Sequence, residues 1–339
     1  MITRSELSVQ TINPFTCWQE QLVRAITSPE HLLDILQLNR KLLPPALKAN
    51  QAFALKVPHS FVARMEPRNP KDPLLKQVLP IGEECIDVEG YGIDPLAEQS
   101  QNPTDGVIHK YHGRLLLIVS GTCAINCRFC FRRHFPYQDN LLGGESWQKA
   151  LEYIRSDTSI REVIFSGGDP LAANDKRLGK MVRELSSISH VETLRIHTRL
   201  PVVIPQRITE TMLDWFTGHR LKPVMVIHCN HAREVNDELR QVMHTLRNAG
   251  VTLLNQTVLL REINDNSHAL ADLSHKLFDA GVLPYYLHLL DHVHGAAHFD
   301  VSEAHAKSLV EDVKASCPGY LIPRLVREIP GKPGKTWVQ

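Results

Sequence analysis

In Leu115-Leu-Leu-Ile-Val-Ser-Gly-Thr-Cys123-Ala-Ile-Asn-Cys127-Arg-Phe-Cys130-Phe-Arg-Arg-His134, an apolar run of strand length leads directly into three closely spaced cysteines. Iron–sulfur clusters are held by thiolates, and three cysteines this close can bind one face of a cubane and leave one iron open. An open iron can chelate a small molecule. The alternative is a zinc site with His134 as the fourth ligand, because structural zinc takes four ligands. The spacing favours the cluster.

The pattern of a short strand followed by polar residues recurs along the chain, with amphipathic helix candidates between the strands. This alternation predicts a parallel sheet with helices outside it. In βα barrels, chemistry gathers at the carboxyl ends of the strands. A closed eight-unit barrel needs about 250 residues, so we predict an α/β fold with a partial (β/α)6 TIM-like barrel. The strand candidates are Leu115–Ser120, Glu162–Ser166, Thr193–His197, Pro223–His228, Thr252–Leu259 and Tyr285–Leu290.

Three parts of the chain differ in composition and in the spacing of their apolar residues. Residues 1–105 contain two apolar runs at helical spacing, Trp18–Ile26 and Leu32–Leu43, and predict a small, mainly helical N-terminal region. Residues 106–328 form the predicted barrel. Residues 329–339 form a C-terminal tail rich in glycine, proline and lysine.

Bulk composition excludes several classes of function. Lysine and arginine total 38 against 37 acidic residues, a net charge of +1. The chain therefore lacks the excess of positive charge that favours binding to nucleic acid or to an anionic membrane. The run Leu115–Val119 is far too short to span a bilayer, and the first residues lack the apolar core of a signal peptide. Seven cysteines, three of them clustered, argue against a secreted disulfide framework. We expect a cytoplasmic protein without a nucleic-acid or membrane partner.

The spacing Cys123-x3-Cys127-x2-Cys130 resembles the signature of the radical S-adenosylmethionine (SAM) superfamily. The resemblance implies a radical SAM barrel, a 4Fe–4S cluster on these three cysteines, and SAM on the open iron. Reductive cleavage of SAM then gives a 5′-deoxyadenosyl radical, which implies an electron donor of the flavodoxin or ferredoxin type.

A second superfamily element follows the second strand candidate. Ser-Gly-Gly-Asp at this point is similar to the superfamily's Gly-Gly-Glu element, which contacts the methionine amino group of SAM. Alone, such a sequence is an ordinary tight turn. The resemblance implies SAM contacts at Ser166, Gly167, Gly168 and Asp169.

The tail extends the resemblance to one family. Gly331-Lys-Pro-Gly-Lys335 resembles the glycine-rich segment of the lysine 2,3-aminomutases, whose last lysine binds pyridoxal phosphate (PLP) covalently. A PLP enzyme needs such a lysine to hold the aldehyde until substrate displaces it. Lys335 is the matching residue. Other similar segments are His109–Arg114, Cys130–Arg133, Pro201–Arg207, Asn255–Arg261 and Asn264–Asp265.

The resemblance also implies roles for the remaining polar residues. In the PLP phosphate site, the matching residues are Tyr111, Arg114 and Gln256. Lys110 stands there where relatives carry arginine, which keeps the charge but loses the forked geometry.

Substrate contacts are implied in the same way. Arg132 matches the partner of the substrate α-carboxylate, and Asp291 matches one of two acids that hold the ε-ammonium. The second acid is Glu328, one methylene longer than the aspartate of relatives. This set is chemically sensible, because an amino acid with a terminal amine needs a cation for its carboxylate and anions for its far end. Taken singly, each of these residues is more commonly a surface ion-pair partner.

Two differences from the clostridial-type aminomutases narrow the resemblance to a subgroup of the family. Asn266 stands where clostridial-type aminomutases carry a zinc-binding cysteine, and the sequence ends four residues after Lys335. Phe131-Arg-Arg-His-Phe-Pro-Tyr137 and Pro284-Tyr-Tyr-Leu-His288 resemble the short bacterial aminomutases that serve elongation factor P. Members of that group convert (S)-α-lysine to (R)-β-lysine, which a separate ligase attaches to the factor. The alternatives are another radical SAM enzyme without PLP, or a non-enzymatic metal-binding protein.

Overall fold

The computed structural model describes residues 17–338, so the first 16 residues of the predicted helical region lie outside it. In the described part of that region there are four short helices, α1 (Trp18–Val23), α2 (Pro29–Ile35), α3 (Leu43–Ala52) and α4 (His59–Val62). The run Leu32–Leu43 is not one helix, because Gln37 adopts a φ of 52° and ends α2. A long irregular segment then leads to the sheet.

Nine strands form a single sheet in which the spatial order equals the sequence order. The strands β2 to β8 are parallel neighbours, whereas β1 and β9 pair antiparallel at the two ends. The bounds are β1 (Val107–Tyr111), β2 (Arg114–Ser120), β3 (Glu162–Gly167), β4 (Thr193–Thr198), β5 (Lys222–His228), β6 (Thr252–Val258), β7 (Leu283–His288), β8 (Arg324–Arg327) and β9 (Thr336–Trp337).

One helical crossover joins each pair of parallel strands, so six βα units precede β8. The prediction of an open, partial (β/α)6 barrel is thereby confirmed. The crossover helices are α5 (Gly144–Ser156), α6 (Asp175–Ser186), α7 (Leu200–Val203) with α8 (Glu210–Thr217), α9 (Asp237–Asn248), α10 (Ser267–Asp279) and α11 (Glu303–Ser316).

The crossover α9 shows why these sequences form helices. The Asn236 side chain accepts a hydrogen bond from the Leu239 N–H at 3.0 Å, and such caps contribute about 1 kcal/mol. Leu239, Met243 and Leu246 lie on one face and are fully buried against the sheet. Gly250 ends the crossover with a φ of 84°. These are the boundaries that the sequence predicts.

Alternation along the strands places polar side chains inside the barrel. In β4, Leu194 and Ile196 are fully buried in the main core, while Arg195 and His197 lie on the opposite face. In β7, His288 likewise alternates with the buried Leu287. Across the described part of the chain, no helix has the length and apolar character that crossing a bilayer requires.

Candidate active site

The cysteine loop, residues 121–134, follows β2 and is held in place by the N-terminal region. Arg128 is fully buried and donates to both carboxylate oxygens of Glu84, at 2.8 and 2.6 Å, and to the Phe53 carbonyl at 2.7 Å. The Asn126 N–H donates to the Lys56 carbonyl at 2.9 Å. Removing one partner of a buried ion pair is strongly destabilising. The N-terminal region therefore fixes the shape of the loop.

The end of β3 packs against this loop through two glycines. Gly167 has a φ of 118°, and a Cβ there would lie 2.4 Å from the Ser120 carbonyl oxygen. A Cβ on Gly168 would lie 2.7 Å from the Thr122 carbonyl oxygen. Only glycine fits such close backbone approaches. The Gly-Gly pair thus brings the end of β3 beside the first residues of the cysteine loop.

The three cysteines of the loop form an electrostatically coupled group. Burial raises the pKa of Cys123, Cys127 and Cys130, and the charges of the neighbouring sulfurs add to the effect at Cys123 and Cys130. Metal binding removes these protons, because only a thiolate binds iron. Arg199 Nη1 donates to Cys127 Sγ at 2.8 Å and supplies a positive charge beside it. The donor set therefore fits an iron–sulfur cluster.

The zinc alternative finds no support in the geometry. Among residues 17–338, no three His, Cys, Asp or Glu side chains come close enough to hold a single metal ion. In a cubane each thiolate binds a different iron, so the sulfur atoms stand farther apart than the ligands of one ion. His134, the fourth zinc ligand of that alternative, lies with Nε2 3.4 Å from the His294 carbonyl oxygen.

Arg199 belongs to a buried polar network that the sequence did not reveal. Its Nη2 donates to Glu234 at 2.9 Å and to Gln77 at 2.6 Å. The guanidinium also lies 5.6 Å from the ring centroids of both Phe61 and Phe129. These contacts fix the guanidinium that faces Cys127, and all four partners come from outside its own βα unit.

Asp169, the acid of the Gly-Gly-Asp element, is buried and fully engaged. Its carboxylate accepts hydrogen bonds from Thr198 Oγ1 at 2.7 Å and from the N–H groups of Leu171, Arg199 and Leu200 at 2.8 to 3.1 Å. It therefore ties the end of β3 to the end of β4. A contact between Asp169 and SAM stays a prediction.

The C-terminal tail returns to the barrel as β9, and Lys335 directly precedes this strand. Lys335 Nζ donates to Glu328 Oε2 at 2.7 Å and lies 5.8 Å from the centroid of the Tyr286 ring. Glu328 follows β8, the partner of β9. The pairing thus holds the tail, which composition alone would make an exposed end, against the carboxyl end of the last parallel strand.

The pKa values of two carboxyl groups, Asp291 and Glu328, are shifted in opposite directions. Burial, reinforced by the charge of Glu328, raises the pKa of Asp291 to about 7. Burial would also raise the pKa of Glu328, but the positive charges of Lys335 and Lys110 outweigh it and hold that pKa well below its ordinary value. Lys110 Nζ lies 3.1 Å from Glu328 Oε1. Lys335 therefore contacts Glu328 directly, and Asp291 is buried within electrostatic range of both.

The barrel interior beside Lys335 contains polar atoms that lack partners. Nε2 of His197 and Nε2 of His288 are buried and form no hydrogen bond to any described residue. Burial lowers the pKa of both imidazoles, and the Lys335 charge lowers it further. Unpaired buried polar atoms are costly, so they indicate that a polar group belongs here. PLP, with its phosphate, hydroxyl and ring nitrogen, fits this requirement.

The predicted phosphate contacts line the same interior from three strands. The Arg114 guanidinium lies 4.7 Å from the centroid of the Tyr111 ring. Burial and then the Glu328 charge raise the pKa of the Tyr111 hydroxyl, which stays protonated and able to donate. Gln256 lies in β6 between His228 of β5 and Tyr286 of β7 in the strand register. Their contacts with phosphate stay predictions.

Arg132, the predicted partner of the substrate carboxylate, is occupied by a glutamate that the sequence did not single out. Its Nε and Nη2 donate to the two carboxylate oxygens of Glu98, at 2.6 and 2.8 Å. Its Nη1 donates to Ser166 Oγ at 3.1 Å and to the Gly167 carbonyl at 3.2 Å. Glu98 lies in the irregular segment before β1, where no periodicity marks a functional position.

Known proteins resemble this chain over nearly its whole length. Residues 117–273 match the radical SAM superfamily. L-lysine 2,3-aminomutase from Escherichia coli (strain K12) is 51% identical over 94% of this chain and 93% of its own. The enzyme of that name from Haemophilus influenzae is 47% identical over 94% of both chains, and that from Clostridium subterminale is 33% identical over 94% of this chain and 77% of its own.

These matches decide between the interpretations left open by the sequence. Two relatives at about half identity match 94% of this chain, and both are named L-lysine 2,3-aminomutase. The implied cofactors are a 4Fe–4S cluster, SAM and PLP, and the donor sets described above fit the cluster and PLP. The chain belongs to the lysine 2,3-aminomutase family of the radical SAM superfamily.

Proposed function

We propose that this chain is an isomerase that converts (S)-α-lysine to (R)-β-lysine. The observation that carries the proposal is the ion pair between Lys335 and Glu328 at the carboxyl end of β8, with the buried Asp291, three residues after β7, within electrostatic range of both. A covalent cofactor site with two adjacent acids suits an amino acid that ends in a second amine. Two carboxylates discriminate strongly against a side chain that lacks the amine, because they would remain buried without a partner.

Each group of residues has a defined task in this proposal. Arg132 binds the α-carboxylate in a bidentate contact, and Asp291 with Glu328 binds the ε-ammonium. Lys335 holds PLP until the substrate amine replaces it, while Tyr111, Arg114 and Gln256 bind the phosphate. When bound, PLP supplies the π-system across which nitrogen migrates, and the cluster with SAM supplies the radical that removes the β-hydrogen. An electron donor of the flavodoxin or ferredoxin type reduces the cluster.

Replacing Asp291 with Asn, or Glu328 with Gln, should impair lysine turnover by tenfold or more. Buried charge-assisted hydrogen bonds contribute about 1.5–3 kcal/mol each, which corresponds to that factor. Iron content and the borohydride-trapped PLP adduct should stay normal in both variants. The check is initial-rate kinetics with lysine and with norleucine, which lacks the terminal amine. Equal turnover of the two by the unmodified enzyme would reject recognition of the ε-ammonium by Asp291 and Glu328.

Lysine binding should tighten as the pH rises from about 6 to about 8. The pKa of Asp291 is raised to about 7, so its carboxyl group is neutral below that pH and an anion above it. The substrate ε-ammonium, with a pKa of about 10.4, stays charged throughout. We expect roughly a tenfold gain in the lysine-to-norleucine affinity ratio, measured by calorimetry without reductant. A ratio that does not change with pH would contradict the pairing of Asp291 with the ammonium.

The biological role that we propose is supply of (R)-β-lysine, in the cytoplasm, to a ligase that modifies elongation factor P. Two segments support it, Phe131–Tyr137 and Pro284–His288, which resemble the short aminomutases that serve this factor. Asn266 supports it too. It stands where clostridial-type enzymes carry a zinc cysteine, and here it caps α10 by accepting a hydrogen bond from the Ala269 N–H at 2.8 Å.

Deleting the gene should remove the β-lysyl mass from elongation factor P while growth on lysine stays unchanged. An enzyme that modifies one protein can be slow, whereas lysine catabolism requires bulk flux. The measurement is the intact mass of elongation factor P from cells with and without the gene, with a plasmid copy as the control. An unchanged mass would remove the proposed role and leave the aminomutase chemistry in place.

A further inference from the structure

We infer that Glu98 is a specificity-determining residue that occupies Arg132 in the resting protein and yields it to the substrate α-carboxylate. This inference rests on the proposed function, because it assigns Arg132 to that carboxylate. The ion pair is bidentate, and its two side chains are only 7% and 6% exposed. Glu98 therefore makes the same two-oxygen contact with the guanidinium that an amino acid carboxylate would make.

Arg132 cannot bind a second carboxylate in this way while Glu98 remains. Two of its three nitrogen atoms face Glu98, and the third, Nη1, faces Ser166 and Gly167. A bidentate contact requires two neighbouring N–H groups that point in the same direction. Substrate binding through Arg132 thus requires exchange of one carboxylate for the other.

The segment that carries Glu98 also contacts the loop that contains Asp291. This strap, residues 86–101, is attached beside Asp291: the Gly92 N–H donates to the His292 carbonyl at 3.0 Å, and the His294 N–H donates to the Gly92 carbonyl at 2.8 Å. Ala97, directly before Glu98, has a φ of 50°. Non-glycine residues rarely adopt that conformation, so the chain makes an unusual turn directly before Glu98.

An alternative partner for Glu98 is already in place. Lys110 Nζ lies 3.4 Å from Glu98 Oε1 and 3.1 Å from Glu328 Oε1, so it stands between the two acids. Glu328 in turn holds Lys335 at 2.7 Å. The resting site is therefore one row of alternating charges, made of Arg132, Glu98, Lys110, Glu328 and Lys335.

In the PLP-loaded protein the Lys335 nitrogen would be bound to the cofactor, so Glu98 and Glu328 are left with Lys110 between them. Lysine can then exchange the partners of Arg132, Glu98, Lys110 and Glu328 without leaving any of these charges unpaired. Its α-carboxylate takes Glu98's place on Arg132, and its ε-ammonium takes the place of Lys110 on Glu328. Lys110 is then free to neutralise Glu98. A ligand without the terminal ammonium leaves Glu98 and Glu328 to share Lys110, which is unfavourable for buried acids. Glu98 thus couples recognition of the two ends of the substrate.

The test is calorimetric titration of the PLP-loaded holoenzyme with lysine and with norleucine, without reductant so that no turnover occurs. Glu98→Gln removes the competing charge and keeps the shape of the side chain. We expect lysine to bind about tenfold tighter than to the wild type, and norleucine to gain more, so that the lysine preference falls by about tenfold. Glu98→Asp retracts the carboxylate by one methylene. Its lysine affinity and its lysine preference should lie between those of the wild type and those of Glu98→Gln. Glu89→Gln, an exposed glutamate of the same strap, is the matched control and should change nothing.

Two results for lysine binding by Glu98→Gln would overturn the inference. Weaker lysine binding by Glu98→Gln would show that Glu98 only orients Arg132, and unchanged binding would show that it has no role; either overturns the inference. Should Glu98→Gln fail to fold by circular dichroism, Glu98→Asp carries the same comparison. If the wild type binds lysine no better than norleucine, the proposed function fails and this inference with it. If the wild type prefers lysine but Glu98→Gln gives one of the two contrary results, the inference fails and the proposed function stands.

Discussion

Replacing Cys123, Cys127 or Cys130 with alanine is expected to abolish both the reducible cluster and all cleavage of SAM. Each thiolate binds one iron of the cubane, and no other described cysteine stands in this loop to replace it. The loss should be complete rather than partial, because SAM binds only to the iron that a correctly held cluster leaves open. The measurement is iron content and electron paramagnetic resonance after anaerobic reconstitution, together with 5′-deoxyadenosine release.

Cys17→Ala provides the matched control, since Cys17 is exposed and its side chain caps no helix. This variant should keep full iron content and SAM cleavage. Full iron content and activity in any one of the three loop variants would remove that cysteine from the ligand set.

The second large effect is expected from Lys335→Ala, which should lose covalent PLP and lysine turnover while keeping the cluster. Lys335 lies on the tail that pairs with β8, whereas the cysteine loop follows β2. Borohydride reduction followed by peptide mass spectrometry should place a pyridoxyl group on Lys335 of the wild type and on no lysine of the variant.

Lys332→Ala serves as the control for the tail, because Lys332 is exposed and one short repeat away. It should retain the adduct and the activity. A pyridoxyl group found on Lys332 instead of Lys335 would contradict the assignment and shift the match of the tail by three residues.

The parallel core of the fold follows from the sequence almost completely. All six strand candidates are present, each with boundaries within two residues of the observed strand. Their apolar runs have strand length, and caps such as Asn236 mark the helices between them. The strands β1, β8 and β9 are not among the candidates, and β8 and β9, with four and two residues, are too short for a periodic signal. Their pairing is decided by contacts between distant parts of the chain.

The residues of the candidate site also fall into two groups, those that the local sequence reveals and those that only the fold reveals. The cysteine loop and Lys335 stand in motifs of unusual composition, so local sequence reveals them. Glu98 and Glu234 do not, because their partners Arg132 and Arg199 are 34 and 35 residues away in sequence. Nothing in the residues around Glu98 distinguishes it from a surface glutamate. Only the fold shows that both of these acids are buried opposite an arginine of the site.

Product analysis after anaerobic reconstitution with iron, sulfide, PLP and SAM tests directly whether this chain isomerises lysine. The enzyme is reduced and incubated with (S)-α-lysine, and the amino acids are separated by chiral chromatography and identified by mass. We expect (R)-β-lysine, formed without net oxidation or reduction of the substrate. Recovery of unchanged lysine while SAM is cleaved to 5′-deoxyadenosine would contradict the account, since it would leave a radical SAM enzyme that acts on another substrate.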